Sequence, residues 1–143
     1  MIKMIPVKQK LEIYNNNRIW DQRHQVFEEF LEDKLIVKSM NYIHILDLKK
    51  IKYIKASGNY CEIVMTDNKQ ILSAKTLKRY EKALIYKNFL RVHSSFLINL
   101  SKVTGIKRNG TFTIIIEDDI EIPVSRGYKE NLFSDFFNNF KNI

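Results

Sequence analysis

Ile51–Thr66, IKYIKASGNYCEIVMT, decides the fold class. Two runs rich in Ile, Val and Tyr flank the turn-forming triplet Ser57-Gly58-Asn59, the pattern of two short strands folded back on each other. Working outward, LIVKSM and YIHILDL precede them, divided by Asn41 and followed by Lys49-Lys50, and QILSA comes after Asp67-Asn68. These segments predict strands in hairpin-like succession. FLRVH, KVTGIKR, TFTIIIE and IEIPV continue the pattern, with Asn109-Gly110 giving a strong hairpin signal and Glu117-Asp118-Asp119 an acidic turn.

Three helices interrupt or bracket the strands. From Arg18 to Asp33, Ile19, Trp20, Val26, Phe27, Phe30 and Leu31 recur at helical spacing behind Asn15, Asn16 and Asn17, any of which can cap. Ser73 is expected to open a short helix with Leu77, Tyr80 and Leu84 on its core stripe and Lys75, Lys78, Arg79 and Lys82 elsewhere. Ser125 is expected to cap a last helix carrying Tyr128, Leu132, Phe133, Phe136, Phe137 and Phe140 on one broad face. The expectation is a mostly β domain bracketed by helices.

The chain has 143 residues, 45% hydrophobic and 28% charged, enough for one domain and an appended element. No run approaches the roughly 18 to 20 apolar residues of a membrane span, and MIKMIPVKQK lacks a signal-peptide core, so a soluble cytoplasmic protein is expected. One cysteine, Cys61, and three scattered histidines argue against a disulfide framework or a zinc module. Net charge is +8 and unevenly spread. Residues 1–33 carry 5 basic and 6 acidic groups, residues 34–110 carry 16 and 4, and residues 111–143 carry 3 and 6. So basic a middle section favours a polyanion as partner.

Catalytic patterns are weak. Glu117, Asp118, Asp119 and Glu121 form a carboxylate cluster, but consecutive turn residues point in different directions and suit solvent better than a metal. His93 beside Ser94 and Ser95 is adjacency in sequence, whereas a triad is a spatial arrangement. Ser57-Gly58-Asn59 is too short to cradle a phosphate. What remains is polar residues at strand ends among basic ones: Asn59, then Arg91, His93 and Ser94, then Arg126. Each also fits an ordinary role: Asn59 in a turn it tolerates, His93 as a hydrogen-bonded structural residue, Arg126 in a surface ion pair.

Four motifs in order, IKYIKASGNYCEIV, SAKTLKRYEKAL, FLRVHSSFLINLSKV and IPVSRGY, give residues 35 to 138 a resemblance to the LytTR (LytR/AgrA-type) DNA-binding domain family of bacterial transcription regulators. The third, with Phe89, Arg91, His93, Ser95, Phe96, Asn99 and Val103, is the most diagnostic. The resemblance implies an elongated arrangement of short antiparallel sheets whose loops enter successive major grooves of double-stranded DNA. It divides the chain into an N-terminal extension, 1–34, and a DNA-binding domain, 35–143. It further implies that Asn59, Ser94 and Arg126 contact bases, with Ser57, Arg91 and His93 on phosphates; Lys102, Lys107 and Arg108 join the phosphate list on charge alone. Such side chains suit base edges and phosphates. Lys55, Ser94 and Gly127 depart from residues frequent in the family.

Neither a cofactor nor a metal nor a small-molecule substrate is implied, and no enzyme activity. The family's usual receiver domain of phosphate-accepting type does not fit into 34 residues. The extension is expected to pack on the domain or to join a homodimer through Trp20, Phe27 and Phe30, with the C-terminal helix as the other candidate surface. The alternative reading is an interaction module that heterodimerises with another LytTR regulator and inhibits it.

Overall fold

The computed structural model describes residues 18–139, with side chains from 22 to 134. The chain divides between Leu48 and Lys49 into two compact units. In the first, helix α1 (Arg18–Leu31) precedes an antiparallel pair, β1 (Lys34–Lys38) and β2 (Ile43–Asp47), registered Lys34 to Asp47 and Ile36 to Ile45. Leu35, Val37 and Leu46 are buried. Ser39 closes the reversal by donating both its N–H and its hydroxyl to the Tyr42 carbonyl, at 2.8 and 3.0 Å.

The second unit holds a five-stranded and a three-stranded antiparallel sheet. The larger runs in the order β5-β4-β3-β7-β6, built from β3 (Ile51–Ser57), β4 (Tyr60–Met65), β5 (Gln70–Ser73), β6 (Phe89–His93) and β7 (Phe96–Asn99). The smaller is β10-β9-β8, from β8 (Val103–Arg108), β9 (Phe112–Ile116) and β10 (Ile120–Pro123). Helix α2 (Leu77–Ala83) follows β5, and α3 (Lys129–Asn139) closes the described chain. The mostly β fold of small antiparallel sheets expected from the sequence is therefore present. A core of Leu90, Val92, Ile98, Ile114, Ile116, Ile122 and Leu132 draws on both sheets and α3, which fixes how the sheets sit together.

Several local readings need correction. Ser73 does not open α2: it ends β5, accepts a hydrogen bond from the buried Tyr80 hydroxyl and one from the Lys75 N–H at 3.2 Å. Thr76 takes the cap instead, its hydroxyl oxygen accepting from the Arg79 N–H at 3.3 Å. Leu77, Tyr80 and Leu84 are buried as the spacing predicts. Ser125 makes no side-chain cap, because a 3-10 turn over Arg126–Tyr128 intervenes before α3. Strand β7 was not foreseen at all, since the polar SSFLINLS context hides its four residues. Leu132 is buried in the core, whereas Phe140 lies outside the described residues.

Candidate nucleic-acid interface

Register brings three separated loops to one end of the second unit. Ser57 pairs with Tyr60, so Gly58 and Asn59 form a two-residue turn at the tip of β3 and β4. Gly58 takes φ +60°, while Asn59 keeps an ordinary negative φ. Asn59 is thus not there to tolerate a left-handed backbone; Gly58 does that, and leaves the exposed Asn59 side chain free of conformational duty.

Beside this turn lies the β6–β7 reversal. The Ala56 N–H donates to the Ser95 carbonyl at 2.9 Å, tying the reversal to the end of β3. On its other flank the Ser125 N–H donates to the Val92 carbonyl at 3.0 Å, tying it to the segment that carries Arg126. The middle loop is therefore pinned on both sides by backbone, and Asn59, Ser94 and Arg126 form the exposed row.

Side chains shape that middle loop. Arg91, 12% exposed, donates from Nε to the His93 carbonyl at 2.9 Å, from one terminal nitrogen to the Ser94 carbonyl, and from the other to Glu81 Oε1 at 3.2 Å. Its guanidinium lies 5.6 Å from the Tyr128 ring centre. Arg91 is thus a brace for the loop backbone, using the planar fork that only Arg offers. The Ser95 N–H donates to His93 Nδ1 at 3.0 Å, which leaves the ring proton of neutral His93 on Nε2. The same ring meets Phe96 edge-on at 5.6 Å. Arg126 is exposed and, among the described residues, has no carboxylate partner.

Other basic residues are distributed differently. Lys107 and Arg108 sit at the β8–β9 end that adjoins Val124, whose N–H donates to the Phe112 carbonyl at 3.1 Å. Arg108 is exposed, whereas Lys107 is ion-paired with Glu121. Lys102 is not brought to the loop row: β7 carries it to the opposite end, where its ammonium lies 3.5 Å from Glu117. The acidic turn is a partner for lysines, its Asp118 reaching Lys52 at 2.7 Å. Among the described residues no group of His, Cys, Asp and Glu is placed to hold a metal. Burial pushes the Cys61 thiol up from its ordinary value despite the Arg91 charge nearby, so it stays protonated and unreactive near neutrality.

Sequence reasoning missed three contributors. Lys75 is one: Cys61 pairs with Ser73, so β5 ends at the loop row and hands the chain to an exposed Lys75. Glu81 is another, visible only once α2 packs beside β6. Lys55, exposed on β3 with its ammonium 5.9 Å from the Phe96 ring centre, is the third.

Fold and loop row together define a β-rich domain that presents loops at one end. The model of the LytTr DNA-binding domain matches residues 41–136, and the chain belongs to that family. Over 103 residues it is 33% identical to the sensory transduction protein LytT of Bacillus subtilis, covering 71% of this chain and 42% of that protein. It is 26% identical over 102 residues to the transcriptional regulatory protein LytR of Staphylococcus aureus, covering 70% and 41%. The chain spans about two fifths of the length of these relatives. A solved LytTr DNA-binding domain from a Bacillus cereus methyl-accepting/DNA response regulator has the same fold, with a TM-score of 0.62 at 19% identity over 71% of this chain and 94% of that one. Among the described residues no helix is long and apolar enough to cross a membrane.

Proposed function

We propose that this chain is a cytoplasmic, sequence-specific double-stranded DNA-binding transcription regulator that reads successive major grooves through the three-loop row. Two backbone hydrogen bonds carry the reading, Ala56 to Ser95 and Ser125 to Val92, because they hold the three loops side by side. Arg126 suits guanine O6 and N7, Asn59 suits adenine N6 and N7, and Ser94 accepts or donates to several bases. Around them Ser57, His93 through its Nε2 proton, Arg108 and the unspent donors of Arg91 meet phosphates. Lys102 and Lys107 join only by exchanging a carboxylate for a phosphate.

The family the chain belongs to is named for DNA binding, and its relatives include a transcriptional regulatory protein. Two copies one helical turn apart would share a face of the duplex, and α1, with Phe27 and Phe30 exposed, is the candidate link. The test is selection of the purified protein on a random duplex library at two salt concentrations, followed by sequencing. Enrichment of a short motif, repeated at a fixed spacing, is expected. Salt-sensitive binding with no motif, or no binding, would overturn the reading and favour the heterodimerising inhibitor.

A further inference from the structure

Among its described side chains, helix α1 shields a charged pair and turns apolar groups outward. His24 and Glu28, paired with Nε2 3.2 Å from Oε1, are 16% and 22% exposed, beside the half-buried Leu31. Val26, Phe27 and Phe30 stand outward at 66%, 48% and 55%. A helix serving only its own unit turns its aromatic stripe inward and leaves the charged residues to solvent. Here Gln22, Arg23, Val26, Phe27 and Phe30 instead line one shallow, open hollow. Contiguous exposed apolar surface rimmed by polar residues marks an interaction site.

The charges on α1 say what covers it. Its first half holds Arg18, Asp21 and Arg23, a net charge of +1, its second half holds Glu28 and Glu29, and Glu32 and Asp33 follow directly. No basic residue occupies the last turn. Asp21 apart, this order opposes the helix dipole, which favours acids at the start and bases at the end. Alone, the arrangement costs stability. A second, antiparallel α1 reverses that sign, because it sets the basic half of each helix against the acidic half of the other, whereas a parallel neighbour would set like against like. With Val26 on the two-fold axis, position 23 of one helix falls opposite position 29 of the other.

We propose that the outer face of α1 is a self-association surface, on which a second copy of this chain docks its own α1 antiparallel across Val26, Phe27 and Phe30. The contact is isologous and closes at two copies. It deepens the pairing just proposed and rests on that part of the reading, while DNA recognition stands or falls separately.

The test is the solution mass of the full chain across the micromolar range, without DNA. Wild type is expected to move from monomer to dimer mass as concentration rises. Val26→Glu, at an exposed position that leaves the fold intact, is expected to stay monomeric with an unchanged circular dichroism spectrum. Arg23→Glu and Glu29→Arg alone are each expected to weaken dimerisation about tenfold or more, and an equimolar mixture of the two to recover it, since both cross-helix pairs are then complementary. A wild type monomeric throughout, or a Val26→Glu dimer, overturns the surface, and a mixture that fails to recover overturns the antiparallel register. Binding of Val26→Glu to a single half-site reads the DNA proposal independently of either result.

Discussion

At one end of the second unit Lys52 is wholly buried and donates to Asn68 Oδ1 and Asp118 Oδ2, both at 2.7 Å, while Lys102 lies against Glu117. At the other end Arg126, Asn59 and Ser94 are exposed, and Arg126 has no carboxylate partner among the described residues. Cations occur at both ends, yet they do opposite work. At the first end folding consumes them: Lys52 holds two reversals whose residues Asn68 and Asp118 take positive φ, 68° and 66°. At the second it leaves Arg126 facing solvent, where a polyanion would have no carboxylate to displace from it. Net charge along the chain does not reveal this division; only the pairing of strands does.

The largest effect is expected where a cation is consumed. Lys52→Ala removes a wholly buried side chain and frees both turns, and it is expected to cost about 2 to 4 kcal/mol of stability in urea unfolding, by analogy with other large-to-small core changes. Asp118 remains solvated, so no buried charge is stranded. Under conditions where the variant is folded, its preferred DNA sequence should be that of wild type. A changed preference would erase the distinction between the two ends.

Next in size is the exposed end. Arg126→Ala is expected to cost about 1 to 3 kcal/mol on the selected site and to relax preference at one base position, measured by binding to single-base variants of that site. Stability should barely change, because the side chain is exposed and has no carboxylate partner among the described residues. Equal loss on every duplex would move Arg126 to the phosphate class.

Arg91 lies between the two behaviours, since it is spent internally but spent on a loop proposed to read bases. Lys in its place cannot span the His93 and Ser94 carbonyls and Glu81 together. Arg91→Lys is expected to lower the ratio of specific to non-specific affinity by about 1 kcal/mol, with non-specific binding little altered. A uniform loss on both would make Arg91 a phosphate contact and nothing more.

Much of this was legible in the sequence wherever a rule is local. Alternation and turn residues located every described strand except β7, and helical spacing gave the α2 stripe of Leu77, Tyr80 and Leu84. The motif order gave the family. Decisions that depend on tertiary partners were not legible. Ser73 and Thr76 are equally good caps on paper, and the Tyr80 hydroxyl settles which is spent elsewhere. Asn99 reads as a motif residue, yet its buried amide donates to the Ile51 carbonyl at 2.9 Å while its oxygen accepts from the Ser101 N–H at 3.0 Å. Lys52 reads as one more surface charge in a basic stretch. The basic middle section and the acidic segment after it look independent, but the fold of the second unit brings them together, joining Lys102 to Glu117, Lys52 to Asp118 and Lys107 to Glu121.

That last pair yields the smallest and most discriminating effect. Lys107 stands on β8 near the loop row, yet Glu121 on the same sheet already holds its ammonium, with both side chains about half exposed. An exposed pair of this kind is worth about 0 to 1 kcal/mol, so a phosphate could take the lysine without a large penalty. If it does, Lys107→Ala lowers the salt slope of binding by about one unit on every duplex. Glu121→Gln then strengthens binding to all duplexes, because the competing carboxylate is gone and its repulsion of the phosphates with it. If Lys107 instead stays with Glu121 in the complex, Lys107→Ala leaves the slope unchanged. Lys107 would then belong with Lys52 and Lys102 among the cations that folding consumes, and the boundary between the two ends would run between Lys107 and the neighbouring Arg108.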